Sequence, residues 1–342
     1  MKLNDHLLYI DITQICGIGC SFCMYSDKHK GGINLVLTEK SENNLKGLIN
    51  HNSVKRISIS GEGEPLNNIE AFHKLVDFSH KTNEFEFISS GFLPKDLMYK
   101  FYIDTNNILL KSKSKCNIRL SSDSYHLEKI KHRSHGLSID WFIKNPESHL
   151  SFSFRSIDTD KEFTRNFLVS EAMKFGYYAE IKEINNLTDE IIINENYIFK
   201  IDYKNLVKPK DIKNDTFLDL KEYISEIELK TNKRFTLGSI NAENNGMDVT
   251  IKPDGSVYFY GIENIKLGNL NLDDITWGNL EHHVKNNKLI NNLYRIPFID
   301  LMEPMKDNTI LNEIIKRNNN PYWVLKELEK YPDILKEIAS ND

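Results

Sequence analysis

Three of the chain's four cysteines, Cys16, Cys20 and Cys23, fall within eight residues of one another. The segment reads Cys16-Gly17-Ile18-Gly19-Cys20-Ser21-Phe22-Cys23, a C-x3-C-x2-C spacing with an aromatic before the last thiol. Thiolates are soft ligands, suited to iron–sulfur clusters and to zinc. Three on one short loop can hold three irons of a cubane and leave the fourth open to a non-protein ligand. Gly17 and Gly19 let the backbone wrap closely around such a cluster. A structural zinc site asks for four ligands, usually as two spaced pairs, and no second pair exists. A zinc-binding, non-enzymatic module would have to recruit a histidine such as His29. A disulfide framework would spread an even set of cysteines along the chain, which this arrangement does not. The remaining thiol, Cys116, stands at the start of a predicted strand and reads as a small packing residue.

The elements around that loop must position it. A strand at Leu8–Thr13 leads into the cysteines. Further strands are predicted at Val54–Ser60, Phe85–Ser89, Asn117–Ser121, Leu150–Arg155 and Tyr178–Ile184. Helical patterns at Thr38–Asn50, Ile69–His80, Lys95–Tyr102, Leu127–Lys144 and Phe163–Phe175 alternate with them. Such alternation predicts an α/β fold of parallel βα units rather than a sandwich. In these folds ligands gather at the C-terminal ends of the strands. The cysteine loop, Gly61–Pro65, Ser89–Gly91, Ser121–His126 and Arg155 all fall there. After about residue 190 the pattern changes to a helix at Leu218–Thr231, a hairpin at Val249–Tyr260 turning at Pro253-Asp254-Gly255, and a helix-rich tail from Asp273. The expected organisation is therefore a core over residues 1–190 and a C-terminal α+β cap over residues 191–342.

Composition narrows the setting. The chain has 342 residues, 40% hydrophobic and 27% charged, as a soluble folded protein should. No apolar run approaches the roughly 20 residues of a membrane helix. Met1 to His6 lacks a signal-peptide pattern, so a cytoplasmic location is expected. A net charge of −5 gives no global attraction to nucleic acid or anionic lipid.

The cysteine loop, its place after the first strand, and Ser60-Gly61-Glu62-Gly63-Glu64-Pro65 after the second resemble the radical S-adenosylmethionine (SAM) superfamily. The resemblance covers roughly residues 7–185. It implies a partial (β/α)6 barrel and a [4Fe–4S] cluster on Cys16, Cys20 and Cys23, with SAM chelating the open iron. One electron, from a donor such as flavodoxin or ferredoxin, would cleave SAM to methionine and a 5′-deoxyadenosyl radical that abstracts hydrogen from substrate. Gly63 and Glu64 match the family's Gly-Glu pair, which receives SAM's ammonium, although such a stretch is also an ordinary turn. Ser121 and Asp123 stand where related enzymes bind ribose; capping the next helix is their alternative role. Arg155 suits the carboxylate of SAM or a surface salt bridge. His126 is a substrate ligand, a proton carrier or a structural histidine, and no catalytic residue is assigned.

Ile251–Tyr258 and Leu267-Gly268-Asn269-Leu270 resemble the SPASM and twitch extension. No cysteine follows Cys116, so an auxiliary cluster has no thiol ligands. The absence of that cluster, and of a leader-gripping module before the first strand, favours a small-molecule or nucleoside substrate. A lyase in base or nucleoside salvage, such as queuosine salvage, is one example; a peptide-modifying maturase is the alternative.

The three-thiol loop generates the first prediction. Alanine at Cys16, Cys20 or Cys23 abolishes cluster assembly, whereas Cys116→Ala retains it. Anaerobic reconstitution followed by iron and sulfide analysis checks this, with about four irons per chain expected in the parent protein.

Overall fold

The computed structural model describes residues 6–20, 23, 31–205, 218–237 and 246–340. Five strands carry the expected series: β1 (His6–Asp11), β2 (Val54–Ser60), β3 (Glu84–Ser89), β4 (Lys115–Ser121) and β5 (Leu150–Ile157). All neighbouring pairs among them are parallel. Between them run α1 (Glu39–Ile49), α2 (Ile69–Asp77), α3 (Lys95–Ser112), α4 (Ser124–Leu127) and α5 (His135–Lys144), and α6 (Lys161–Met173) follows β5. Thr38 and Ser41 form a capping box that starts α1. The broad helical stretch expected over Leu127–Lys144 is two helices, α4 and α5, separated by residues 128–134.

The expected sixth parallel strand at Tyr178–Ile184 is a correction. That segment is β6 (Ala179–Asn185), and it pairs antiparallel with β7 (Thr188–Ile193). β7 pairs antiparallel in turn with β8 (Tyr197–Lys204). β8 takes the parallel place beside β5, with Phe154 opposite Ile201. The reason lies in the connections. Only Asn186 and Leu187 separate β6 from β7, and Asn194 and Glu195 turn with positive φ before β8. Links that short permit antiparallel pairing, whereas a parallel crossover needs a dozen residues or more.

The C-terminal part begins with α7 (Leu220–Thr231) and joins the same sheet through β9 (Asp248–Ile251), β10 (Ser256–Phe259) and β11 (Ile262–Asn269). β9 lies parallel to β1, with Leu8 opposite Val249 and Ile10 opposite Ile251. The sheet order is β11-β10-β9-β1-β2-β3-β4-β5-β8-β7-β6, so one open sheet runs across residue 190. Helices α8 (Trp277–Asn286), α9 (Lys288–Arg295), α10 (Phe298–Met302), α11 (Thr309–Arg317), α12 (Pro321–Leu328) and α13 (Pro332–Ser340) complete the chain. Among the described residues no helix is long and apolar enough to cross a membrane.

The two faces of the sheet differ sharply. Leu8, Ile10, Ile57, Ile59, Phe87 and Ile118 are fully buried on the helix side, beneath residues such as Phe72, Leu75 and Tyr102. The alternate residues, among them Tyr9, Ser58, Glu86 and Arg119, line a cavity of about 840 Å³. Strands from β9 to β8 all contribute to it. Seven parallel strands laid flat would span roughly 29 Å, so the sheet must curl for all to reach one cavity. An open, curled sheet of this kind is the partial barrel expected from the sequence.

Lys252, just beyond β9, ties the C-terminal strands to the core. Its Nζ lies 3.0 Å from Asp11 of β1, 3.1 Å from Glu62 and 2.6 Å from Glu263 of β11. Farther out, Trp277 Nε1 donates to Leu48 O at 3.0 Å, seating α8 on α1. Asn44 donates to Leu270 O and Asp273 O, both at 2.9 Å.

Lys252→Met removes the cation from three carboxylates and should destabilise the fold by roughly 3–5 kcal/mol at neutral pH. Burial already pushes Asp11 up to about 6, against the opposing charge of Lys252. Without the lysine, the folded-state pKa of Asp11 rises further above its unfolded value. The stability deficit therefore grows as pH rises through that range and shrinks as Asp11 protonates. Urea unfolding of parent and variant at about pH 5 and about pH 8 should show the smaller difference at the lower pH.

Candidate functional site

The cysteine loop is held by the loop that follows β2. Gly63 N donates to Thr13 O and Glu64 N to Ile15 O, each at 2.9 Å. Asn67 Nδ2 donates to Ile15 O at 3.0 Å and to Cys16 O at 3.1 Å. Gln14 Nε2 reaches Glu62 at 2.7 Å. The approach is so close that a Cβ on Gly63 would stand 2.2 Å from Ile15 O. Glycine at 63 is required by that contact.

Beyond it, Gly17 and Gly19 take φ of +92° and +71°, the left-handed region that glycine enters without strain. Cys23 N donates to Cys20 O at 3.1 Å, closing the turn. All three thiols are half-buried and free of disulfides. Burial pushes the Cys16 thiol up in pKa, while the N–H groups of Ile18 and Gly19 bond it and work the other way. Amide donors to a sulfur also suit a cluster-bound thiolate. Ser21, Phe22 and His29 lie outside the described residues. Among the described residues no three His, Cys, Asp or Glu side chains stand close enough to hold a metal ion. The fit to a cluster rests on the donor set: three soft ligands on one short loop, with N–H donors aimed at the first.

Glu64 is almost fully buried, with 4% exposure. Its carboxylate accepts from Ser89 Oγ at 2.6 Å, Ser90 N at 2.9 Å and Leu66 N at 3.2 Å. It therefore locks the C-terminal ends of β2 and β3 together. Asp123 caps α4 by accepting from His126 N at 3.0 Å, and it also meets His126 Nδ1 at 2.8 Å. Burial opposes protonation of that imidazole, but Asp123 and Cys20 outweigh it and hold its pKa well above the ordinary value. His126 thus joins the end of β4 to the cysteine loop.

Ser121 and Arg155 stand opposite each other in the β4–β5 register, and both line the cavity. The Ser121 carbonyl receives His135 Nε2 at 3.1 Å. His135 is fully buried, which lowers its pKa to about 3 and keeps it neutral. Its proton sits on Nε2, the nitrogen that meets the carbonyl.

Residues 8–134 match the family model described as a 4Fe-4S single cluster domain. In structure the chain is similar to native anSMEcpe with bound AdoMet (SAM) and Cp18Cys peptide. The likeness covers 98% of this chain and 99% of that one, at 17% identity and a TM-score of 0.50. A histidine-tagged anSMEcpe with bound AdoMet gives 17% identity and a TM-score of 0.51 over the same shares. No curated protein matches the chain in sequence. The fold is that of the radical SAM enzymes.

Within this radical SAM fold, Cys16, Cys20, Gly63 and Glu64 meet at one loop junction, and Asp123 reaches it through His126. Ser121 and Arg155 face the adjoining cavity. Cys116 is 1% exposed and packs among the core side chains, as expected of a small apolar residue. Several charged residues escaped the sequence reading: Asp11 and Lys252 at the seam, and Arg56, Glu86 and Arg119 in the cavity wall. Their signal was present as polar side chains at every second position of strands in a parallel sheet. Of the hairpin aromatics, Tyr260 lines the cavity beside Tyr9 and Tyr322, at ring separations of 5.1 and 5.3 Å. Phe259 is buried against Tyr294.

Gly63→Ala cannot be accommodated without moving the backbone of the cysteine loop, and it should lower both melting temperature and iron content. Gly47→Ala, in the interior of α1 with open space around it, should instead stabilise by about 0.5–1 kcal/mol. Thermal melts and iron analysis of the two variants provide the comparison.

Proposed function

We propose that the chain is a radical SAM enzyme that holds one [4Fe–4S] cluster on Cys16, Cys20 and Cys23 and binds SAM at the C-terminal ends of the barrel strands. The observation that carries this reading is the junction of the three-thiol loop with the Gly63-Glu64 loop, at the same end of the sheet as Ser121 and Arg155. Bound there, the two groups supply one-electron cleavage chemistry for hydrogen abstraction. The main chain around Gly63 receives the SAM amino group, and Glu64 fixes that main chain through Ser89 and Ser90. Arg155, which has no carboxylate within ion-pair distance among the described residues, takes the SAM carboxylate. Ser121 and Asp123 serve the ribose, with Asp123 also setting the His126 imidazole. A flavodoxin- or ferredoxin-like protein delivers the electron.

The core sheet continues past residue 190 through β8 and β9, and the helices of the region expected as the cap, residues 191–342, cover it. α7 and α12 bring Tyr223 and Tyr322 to the cavity, where apolar ring surface helps exclude water from the reaction. A volume of about 840 Å³ suits a small molecule or nucleoside. We read the enzyme as acting on such a substrate in the cytoplasm, with a lyase in base or nucleoside salvage as one form. A peptide substrate is the second reading, supported by the fold-level likeness to a protein solved with a bound peptide.

Reduced, cluster-loaded protein should release 5′-deoxyadenosine from SAM, measured by chromatography of the quenched reaction. Arg155→Ala should weaken SAM binding by roughly tenfold or more while the cluster absorbance stays intact. Cluster-loaded parent protein that leaves SAM uncleaved would contradict the proposal.

A further inference from the structure

The cavity is basic although the whole chain carries a net charge of −5. Ten Lys and Arg residues line it against five Asp and Glu. Four of the ten cations are paired away from the β2–β4 wall. Lys252 is shared by three carboxylates, Asp202 takes Lys200 and Lys230, and Arg234 pairs with Glu228 and Asp300. The cavity wall formed by β2, β3 and β4 is different. There a single carboxylate, Glu86, receives Arg119 at 2.5 Å and Ser58 at 2.8 Å. Arg56 has no carboxylate within ion-pair distance among the described residues. The Nε atoms of Arg56 and Arg119 are both buried without a hydrogen-bond partner, as is that of Arg155 nearer the rim.

Arg119 is itself more than nine-tenths buried. Burial and the Arg155 charge lower its pKa to about 10, with Arg56 adding to the effect, so it remains a cation at neutral pH. Guanidinium groups whose Nε donors are buried without an acceptor are costly to keep. Arginine's forked donors match carboxylate and phosphate oxygens, and a ligand carrying such a group would relieve that cost.

Height within the barrel separates this pair from the groups assigned to SAM. Ser60 ends β2 at the rim, and Arg56 lies four residues earlier, roughly 13 Å lower. Arg119 lies two residues below Ser121, roughly 7 Å lower. Arg155, in contrast, is level with Ser121. We infer that the substrate is a small oxyanion, a phosphate ester or a carboxylic acid, whose anionic group is held by Arg56 and Arg119 on the cavity wall below the rim. The word substrate rests on the radical SAM reading; the anion site does not.

The test uses cluster-loaded protein saturated with SAM, titrated calorimetrically with inorganic phosphate and, separately, with acetate. Saturable binding of at least one anion is expected, weakened roughly tenfold or more by Arg56→Gln. Arg119→Gln strands Glu86, so that position is tested as the Glu86→Gln, Arg119→Gln double variant, which should lose binding likewise. Tighter phosphate binding identifies a phosphate ester, and tighter acetate binding a carboxylic acid. If neither anion binds, or if Arg56→Gln binds as tightly as the parent, the inference is overturned. Binding lost only in Arg155→Gln overturns it too, because the anion would then sit at the rim. Calorimetry with SAM alone on the same preparation separates the two claims. Failure of SAM to bind, with Arg56-dependent anion binding intact, defeats the enzymatic reading and leaves the anion site standing.

Discussion

The ion group at Lys252 is the constraint on which the architecture depends. β1 is paired on one side by β2, about fifty residues away in sequence, and on the other by β9, about 240 residues away. The hydrophobic face of β1 would accept β9 in more than one register. Lys252 removes that freedom, because only one register brings its amine to Asp11, Glu62 and Glu263 together. A buried ion group of this kind contributes little net stability compared with apolar packing, and its better-attested use is to fix register. Here it also reaches the loop that supports the cysteines, since Glu62 accepts from Gln14. One side chain thereby couples the C-terminal hairpin, the first strand and the candidate cofactor loops.

The other organising feature is the alternation of polar residues along the strands. Strands in a purely parallel sheet are usually buried on both faces and read as continuous apolar runs. β4 instead places Asn117, Arg119 and Ser121 on one face and Cys116, Ile118 and Leu120 on the other. β5 repeats the pattern with Ser151, Ser153 and Arg155. A sheet built this way needs helices on one side and a polar, ligand-sized space on the other. That requirement accounts for the curl of the sheet and for the helices α7 and α12 that close over the cavity.

How much of this the sequence revealed follows from how local each signal is. The thiol triplet and Gly63 were legible because their chemistry is written in consecutive residues. The first five strands were legible from the βα rhythm. The identity of the sixth parallel strand was not, because β6 and β8 look alike as segments and only the short turns at Asn186 and Asn194 decide which one reaches β5. Glu64 and Asp123 stood out in sequence as acidic residues at strand ends, but the engagement of their carboxylates was hidden. Ser89 ends the next strand and Ser90 follows it, and the link from His126 to Cys20 spans two separate βα units. Pairings made through space, such as Lys252 with Asp11, leave no trace in spacing.

The central claim is that the three thiols hold a single cluster with one iron open to SAM. Electron paramagnetic resonance of the reduced, reconstituted protein, recorded with and without SAM, addresses it most directly. The account predicts the signal of one reduced [4Fe–4S] cluster whose g-values shift when SAM is added, because SAM binds the open iron itself. A reconstituted protein that holds zinc and gives no signal, or a cluster signal unchanged by saturating SAM, would contradict it.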